Sequence, residues 1–242
     1  MNTYTQILRK YESDLRVAIE KRDQEKGQSI DEALELRQSK DWYFIATTLD
    51  IIGDTNSAIQ HFLETGLEGL GIKTQEAERY LRLYGILNST YLQQEAIVVL
   101  CQKIFHWNEK KSKRLFQESK IREIRNKVAS HSSDYSDYSS KKFKGEKESC
   151  VVIRNSLSKY TFEFINNEIK KDMDNNQERL FMEREFVNLK ESLEEHLKLI
   201  ISLFDKLYEQ SVTILYKNNK LRLQEELDNL SFLRTLVSSN ID

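Results

Sequence analysis

Residues 75–105, QEAERYLRLYGILNSTYLQQEAIVVLCQKIF, decide the fold class of this chain. Their apolar residues recur three and four positions apart, which places them along one stripe of a helix. These residues are Leu83, Leu87, Tyr91, Ile97, Leu100, Cys101 and Ile104. Glu76 and Glu78 suit the positive end of a helix that starts at Thr74. The stretch therefore predicts a long helix with one buried face.

The composition favours helices throughout. The 242 residues include no proline and only seven glycines, so few positions interrupt a helix. Charged residues make up 31% of the chain but sum to −2, so overall charge does not indicate a nucleic-acid partner. Cys101 and Cys150 show no metal or redox spacing, and we find neither a signal peptide nor a membrane-spanning run. We expect a mainly α, cytoplasmic protein without a membrane association.

Three further long helices and one short helix are predicted around this stretch. Tyr4, Leu8, Tyr11, Leu15 and Ile19 lie on one face of a first helix, and a short acidic helix follows near residues 30–38. Another helix starts at Asp41 and ends at the glycines within residues 57–71. This helix is either continuous or interrupted at residues 53–57. Asn108 suits the N-cap of a helix through Ser130. Long helices joined by short loops predict an up-and-down bundle.

The second half of the chain has a different pattern. Residues 132–148 are polar, serine-rich and aperiodic, which is typical of a flexible loop or linker. Alternating Val151/Ile153 and Phe162/Phe164 predict a small β-hairpin, with Arg154-Asn155 in its turn. Leu193, Leu197, Ile200, Phe204 and Leu207 form a helical seam that needs a partner helix. The predicted domains are a bundle (1–131), a linker (132–148), and a hairpin with C-terminal helices (149–242) that packs on the bundle or forms a dimer interface.

One short motif points to chemistry. In IREIRNKVASHSSDY, residues 121–135, Arg125-Asn126 lies late in a helix and His131 begins a polar loop. An arginine followed by a histidine at this spacing also arises by chance, so the pattern alone decides nothing. Its surroundings add weight, since residues 109–127 contain eight Lys/Arg and three Glu, a local charge of +5. A phosphate backbone would be attracted to such a run.

Residues 40–135, with YLRLYGILNSTYLQQEAIVVL followed by the basic helix containing IREIRNKVASH, resemble the HEPN superfamily of small helical bundles. The hallmark of that family is an arginine, usually followed by Asn, Asp or His, with a histidine four to six residues later. Arg125, Asn126 and His131 fit this motif with five residues between Arg125 and His131. Residues 150–242 have no counterpart in the resemblance.

The resemblance implies a metal-independent endoribonuclease that needs no cofactor and acts as a homodimer with facing Arg–His pairs. A histidine transfers protons at neutral pH, and a forked arginine holds the phosphate as charge develops. The catalytic residues would be Arg125, Asn126 and His131, with no metal ligands. The residues expected to contact RNA are Lys110, Lys111, Arg114, Lys120, Arg122 and Lys127.

Helix geometry sets a condition on this site. On an unbroken helix Arg125 and His131 would lie about 120° apart, so they could not share one substrate. Either the helix ends or distorts before His131, or a second chain completes the site. Structural roles remain open: Arg125 pairing with Glu118 or Glu123, His131 capping the helix, and the basic run serving as a solvated face. We expect the other histidines, His61, His106 and His196, to be packing or surface residues.

Three functions are compatible with these residues. The first is a toxin or phage-defence ribonuclease that cuts single-stranded RNA. The second is a non-catalytic HEPN-like module that binds a nucleotide, RNA or a protein partner, and the third is a structural dimer. Toxins of this family beside a nucleotidyltransferase antitoxin often carry a tyrosine two residues after the histidine, where this chain has Ser133. Tyr80, Tyr84, Leu87 and Tyr91 are expected in the core or a dimer interface.

Overall fold

The fold is mainly α, as the composition predicts. The computed structural model describes residues 3–26, 29–38, 40–71, 75–130, 147–171 and 178–239. The α-helices in these ranges are α1 Thr3–Lys26, α2 Ile30–Ala33, α3 Asp41–Thr65, α4 Glu76–Ile104, α5 Glu109–Lys113, α6 Lys120–Arg125, α7 Leu189–Leu215 and α8 Lys220–Ser238. The strands are β1 Lys147–Val152, β2 Thr161–Lys171 and β3 Glu178–Asn188. Over these ranges, the helices lack the combination of length and apolar character that crossing a bilayer requires.

The chain divides into two compact units, each built from separate segments. Unit 1 comprises Met1–Glu64, Ser89–Gln117 and Glu194–Asp242, and unit 2 comprises Thr65–Asn88 and Glu118–Leu193. Helices α4 and α7 contribute residues to both units. The predicted domain limits at residues 131 and 149 stay a prediction. Most of the predicted linker lies outside the described residues, and its last two residues, Lys147 and Glu148, begin β1.

Unit 1 contains the apolar face of α1 that the sequence predicts. All five of its periodic residues are buried: Tyr4, Leu8, Tyr11, Leu15 and Ile19. Two tyrosine hydroxyls fix this helix to the C-terminal segment of the same unit. Tyr11 donates to the Asp205 carboxylate at 2.9 Å, and Tyr216 donates to the backbone oxygen of Ala18 at 2.7 Å. Hydrogen-bonded tyrosines satisfy their polar ends while burying their rings.

The long helices begin and end close to the predicted signals. Helix α3 runs without interruption to Thr65, and Gly66 follows with φ +66°, the left-handed conformation that glycine favours after a helix. The predicted start of α4 at Thr74 lies outside the described residues. Its apolar stripe is buried except at Tyr91, which is half-buried. The heptad-spaced residues of α7, Leu193 to Leu207, are fully buried.

The predicted continuous helix from Asn108 to Ser130 is wrong. Asn108 is the N-cap, as predicted, and its side chain accepts from the backbone nitrogen of Lys111 at 2.9 Å. The α-helix ends at Lys113, after little more than one turn, and a 3₁₀ turn follows at Arg114–Phe116. A second helix, α6, starts only after Ser119, whose backbone is extended. Phe116 and Ile121 are both buried, although a continuous helix would point them about 140° apart.

The predicted hairpin belongs to a larger sheet. Strands β1 and β2 pair antiparallel, with Arg154–Ser156 forming a 3₁₀ turn in their connection. A third strand, β3, pairs antiparallel with β2 and gives the order β1-β2-β3. Phe162 and Phe164 on β2 are fully buried, and Phe162 lies opposite the buried Val187 of β3. One face of the sheet therefore contributes to the core of unit 2.

Candidate functional site

Helix α6 presents Arg125 and Asn126 at its end. Ile121 and Ile124 are buried on one face of this short helix, and Val128 continues that face in the next turn. This anchoring leaves Arg125 and Asn126 half-buried on the adjoining side. The Arg125 guanidinium donates to the side-chain oxygen of Asn126 at 3.3 Å. Asn126 is therefore placed to orient the arginine, a role suited to the polar residue that follows it in the motif.

The helix is distorted directly after Arg125. Residues Asn126–Ser130 form a single π-helical turn, in which the hydrogen bonds span five residues instead of four. Such turns are rare and occur often at functional sites. Of the two routes that helix geometry leaves open, this turn corresponds to the first, a distortion before His131, and completion of the site by a second chain stays a prediction. His131 itself lies outside the described residues.

The predicted RNA-contacting residues do not belong to one unit. Lys110, Lys111 and Arg114 lie in unit 1, whereas Lys120, Arg122 and Lys127 lie in unit 2. Lys110 and Arg114 are exposed, and the ammonium of exposed Lys111 lies 3.9 Å from the centre of the Trp107 ring. The run of positive charge is continuous along the chain, but the break at residues 117–119 divides it between two units. Its role in binding RNA stays a prediction.

Lys127 is engaged by two carboxylates of its own unit. Its ammonium lies 2.8 Å from Glu185 of β3 and 2.9 Å from Glu123, and it also lies 5.6 Å above the Phe164 ring. Burial alone would lower the pKa of Lys127, but its hydrogen bonds to Glu185 and Glu123 raise that pKa well above its ordinary value. The ammonium of Lys120 lies 3.3 Å from Glu123 and 3.9 Å from Glu185. These ion pairs hold α6 and the π-helical turn against β3. They also engage two of the lysines that were predicted to contact RNA.

A cavity of about 720 Å³ opens in unit 2 beside the π-helical turn. Val128 of that turn lines it, together with the first turns of α4 and the end of β1. Two tyrosines of α4, Tyr80 and Tyr84, stack at 6.1 Å between ring centres on its wall. Arg154, from the predicted hairpin turn, also lines it. No pattern in the sequence predicts that these residues lie together, because their proximity depends on the fold of unit 2.

The remaining histidines match the expectation of packing or surface roles. His61 is exposed, His106 is half-buried with φ +55°, and His196 is buried in unit 1. Burial also raises the pKa of the Cys101 thiol to about 12, so this cysteine stays protonated.

Two further observations concern metal ligands and related proteins. Over the part of the chain that the structure describes, no group of three or more His, Cys, Asp or Glu side chains is arranged to hold a metal ion. Comparison with protein-family models, with curated proteins and with solved structures returned no match. The assignment of function therefore depends on the residues around the π-helical turn.

Proposed function

We propose that this chain is a metal-independent endoribonuclease of HEPN type, a cytoplasmic toxin or phage-defence effector with its Arg–His site completed across a homodimer. The observation that carries the proposal is the π-helical turn at Asn126–Ser130, between the two motif residues. On a regular α-helix Arg125 and His131 would lie about 120° apart, and the π-helical turn interrupts that regular geometry before the described segment ends at Ser130. Because π-helical turns occur often at functional sites, this turn supports a functional role for the motif.

The contacts of Arg125 support a role in binding phosphate. Arg125 is half-buried, and its guanidinium donates to the side chain of Asn126. A partly desolvated, positioned cation stabilises developing charge better than a solvated one. The planar fork of arginine also matches two phosphate oxygens at once. Arg125 would thus stabilise the phosphorane as its negative charge grows.

The proposed reaction needs two proton transfers. The 2′-oxygen of the ribose attacks the adjacent phosphorus, and the bond from phosphorus to the 5′-oxygen breaks. One histidine takes the 2′-hydroxyl proton, and a second histidine gives a proton to the departing 5′-oxygen. A homodimer supplies both imidazoles, one His131 from each chain. The products are a 2′,3′-cyclic phosphate and a free 5′-hydroxyl.

The test is cleavage of unstructured RNA in EDTA by the wild type and by Arg125→Ala and His131→Ala. Each substitution should slow cleavage about 10²- to 10⁴-fold, because each removes either proton transfer or charge stabilisation. His61→Gln is the matched control, since His61 is exposed and belongs to unit 1. If the wild type cuts no RNA while both alanine variants melt several degrees lower, the motif is structural.

A second function is favoured by the cavity in unit 2. Stacked tyrosines and an arginine on one wall suit the binding of a nucleotide or RNA without any chemistry. In that case the chain is a non-catalytic HEPN-like binding module. Retained RNA binding with no cleavage under any condition would favour this function over the first.

A further inference from the structure

The wall of the unit 2 cavity carries two aromatic rings that are not core residues. Tyr80 and Tyr84 lie one helical turn apart on α4, with ring planes inclined by 30°. Tyr84 is 43% exposed, and Tyr80 is half-buried. Of the two expected places for these residues, the core does not apply to Tyr84, and a dimer interface stays a prediction. Exposed aromatic rings at a cavity are an effective platform for a planar ligand.

Two charged groups, Arg154 and Glu76, line the same cavity as these rings. Arg154 is exposed, and its positive charge acts on Tyr80, whose pKa is nevertheless raised by burial and by the Glu76 and Tyr84 side chains. No hydrogen bond or ion pair to the Arg154 guanidinium occurs within the described ranges. The exposed Glu76 carboxylate also lines the cavity. The wall thus offers a cation, an acceptor and two rings in one place.

This combination favours one class of ligand over others. An acyl chain would leave the charges of Arg154 and Glu76 poorly solvated, which is costly. A simple anion would need the arginine but not the rings, and it would be repelled by Glu76. A nucleotide uses all of these groups, since its base stacks on tyrosine, its phosphate pairs with arginine, and the exocyclic amino group of a base donates to a carboxylate. The cavity volume lies within the range of small-ligand sites.

We propose that the cavity of unit 2 binds an unpaired nucleotide, with the base on Tyr80 and Tyr84 and the phosphate on Arg154. The inference rests on the proposed function in taking RNA as the source of that nucleotide. Val128 lines the cavity and belongs to the π-helical turn that follows Arg125. A nucleotide held here would lie beside the motif, so the cavity would hold the RNA strand by one base on one side of the scissile phosphate. Only unpaired bases can stack in this way, which restricts the substrate to single-stranded RNA.

The experiment measures binding of a fluorescent, unstructured RNA oligonucleotide by anisotropy, in the full chain carrying His131→Ala to prevent cleavage. Adding Tyr84→Ala should weaken binding about 10-fold or more, the usual effect of losing one stacking ring. Adding Arg154→Gln should weaken binding and make the salt dependence shallower by about 0.7 in log–log slope, the loss of one single-strand phosphate contact. Tyr43→Leu and Lys190→Gln are matched controls, since both residues are exposed and lie outside the cavity. Circular dichroism melts show that every variant is folded.

Competition with adenosine and uridine monophosphates distinguishes the source of the nucleotide. Displacement by monophosphates at concentrations close to those of the oligonucleotide supports a site for free nucleotides. Displacement by oligonucleotides alone supports a site for a nucleotide within a strand. Equal binding by Tyr84→Ala, Arg154→Gln and their controls, or no binding by the parent chain, would overturn the inference.

Cleavage assays on the same substitutions, with His131 intact, separate this inference from the proposed function. If the chain cleaves RNA and the Tyr84 and Arg154 variants bind and cleave normally, the ribonuclease stands and the nucleotide site is wrong. If binding depends on Tyr84 and Arg154 but no RNA is cut, the nucleotide site stands and the ribonuclease is wrong.

Discussion

The Nε2 atom of His196 lies 2.9 Å from the side-chain oxygen of Gln93, inside the core of unit 1. Both side chains are buried, and burial lowers the pKa of His196 from 6.5 to about 3. Protonation of a buried imidazole is unfavourable, because the charged form would not be solvated by water. The pair links α4 and α7 through a group whose charge state changes on unfolding.

This pair predicts a loss of stability in mild acid. Between about pH 6.5 and pH 3 the unfolded chain binds a proton at His196 that the native chain does not, so the free energy of unfolding falls as the pH falls. The expected slope from this group is about 1.4 kcal/mol per pH unit. Urea titrations from pH 7.5 to 4.5 measure it.

In the same titrations, His196→Gln should show a flatter pH dependence than the wild type, whereas His61→Gln should not. The carboxylates titrate in all three proteins, so the difference between the variants isolates His196. An identical slope in His196→Gln and wild type would mean that His196 is protonated in the native state.

Two lysines of the basic run should respond differently to removal. Lys127→Ala leaves Glu185 and Glu123 without their closest cation, so the free energy of unfolding should fall by about 2 kcal/mol. Lys110 is exposed, so Lys110→Ala should change stability by less than about 0.5 kcal/mol. Lys110→Ala should instead weaken RNA binding and reduce its salt dependence. Urea unfolding and anisotropy titrations at several salt concentrations give both quantities, and equal losses of stability would contradict the assignment.

The composite site predicts that an inactive chain inhibits its wild-type partner. Because the proposed site takes one His131 from each chain, a heterodimer of wild type and His131→Ala has only one of the two imidazoles. With random exchange of equal amounts, about a quarter of the dimers are wild-type homodimers, so cleavage should fall to roughly a quarter of the rate of the same total amount of wild type. Wild type mixed with His61→Gln should keep its full rate. A strict monomer in sedimentation, or a fall only to about one half with exchanged subunits, would reject the composite site.

Two glycines should give opposite effects on replacement by alanine. Gly66 has φ +66°, and an added Cβ would lie 2.3 Å from the backbone oxygen of Lys159, so Gly66→Ala should cost at least about 2 kcal/mol. Gly85 is exposed within α4, and a Cβ added there would have no atom of another part of the chain within 4 Å, so Gly85→Ala should stabilise by about 0.5–1 kcal/mol. Thermal and urea unfolding measure both. Stabilisation by Gly66→Ala would mean that the chain turns differently after α3.

Local patterns predicted the helices well, because each signal is contained within a few residues. The periodic face of α1, the Asn108 cap and the glycine that follows α3 all lie where the sequence places them. Strand β3 was missed because its residues, ERLFMEREFVN, include many good helix formers. Its strand conformation comes from pairing with β2. Local secondary-structure propensity does not account for such pairing with another segment of the chain.

The candidate site was predictable only in part. Arg125 and Asn126 follow from a short motif, and the need for a distortion follows from helix geometry. The break between Phe116 and Ile121 could not be predicted, since residues 117–119 contain neither glycine nor proline. Each of these apolar residues is buried in a different unit, and tertiary packing overrides the local helical preference. The cavity residues Tyr80 and Arg154 meet for the same reason.

The hydrogen bonds of α1 have a consequence for protein synthesis. Tyr11 bonds to Asp205 and Ala18 to Tyr216, over separations of 194 and 198 residues. At about 5–20 residues per second, a ribosome needs roughly 10–40 s to make the intervening chain. During that time the apolar face of α1 lacks its native C-terminal partners. Unit 1 therefore cannot be completed until the residues around Asp205 and Tyr216 have been synthesised.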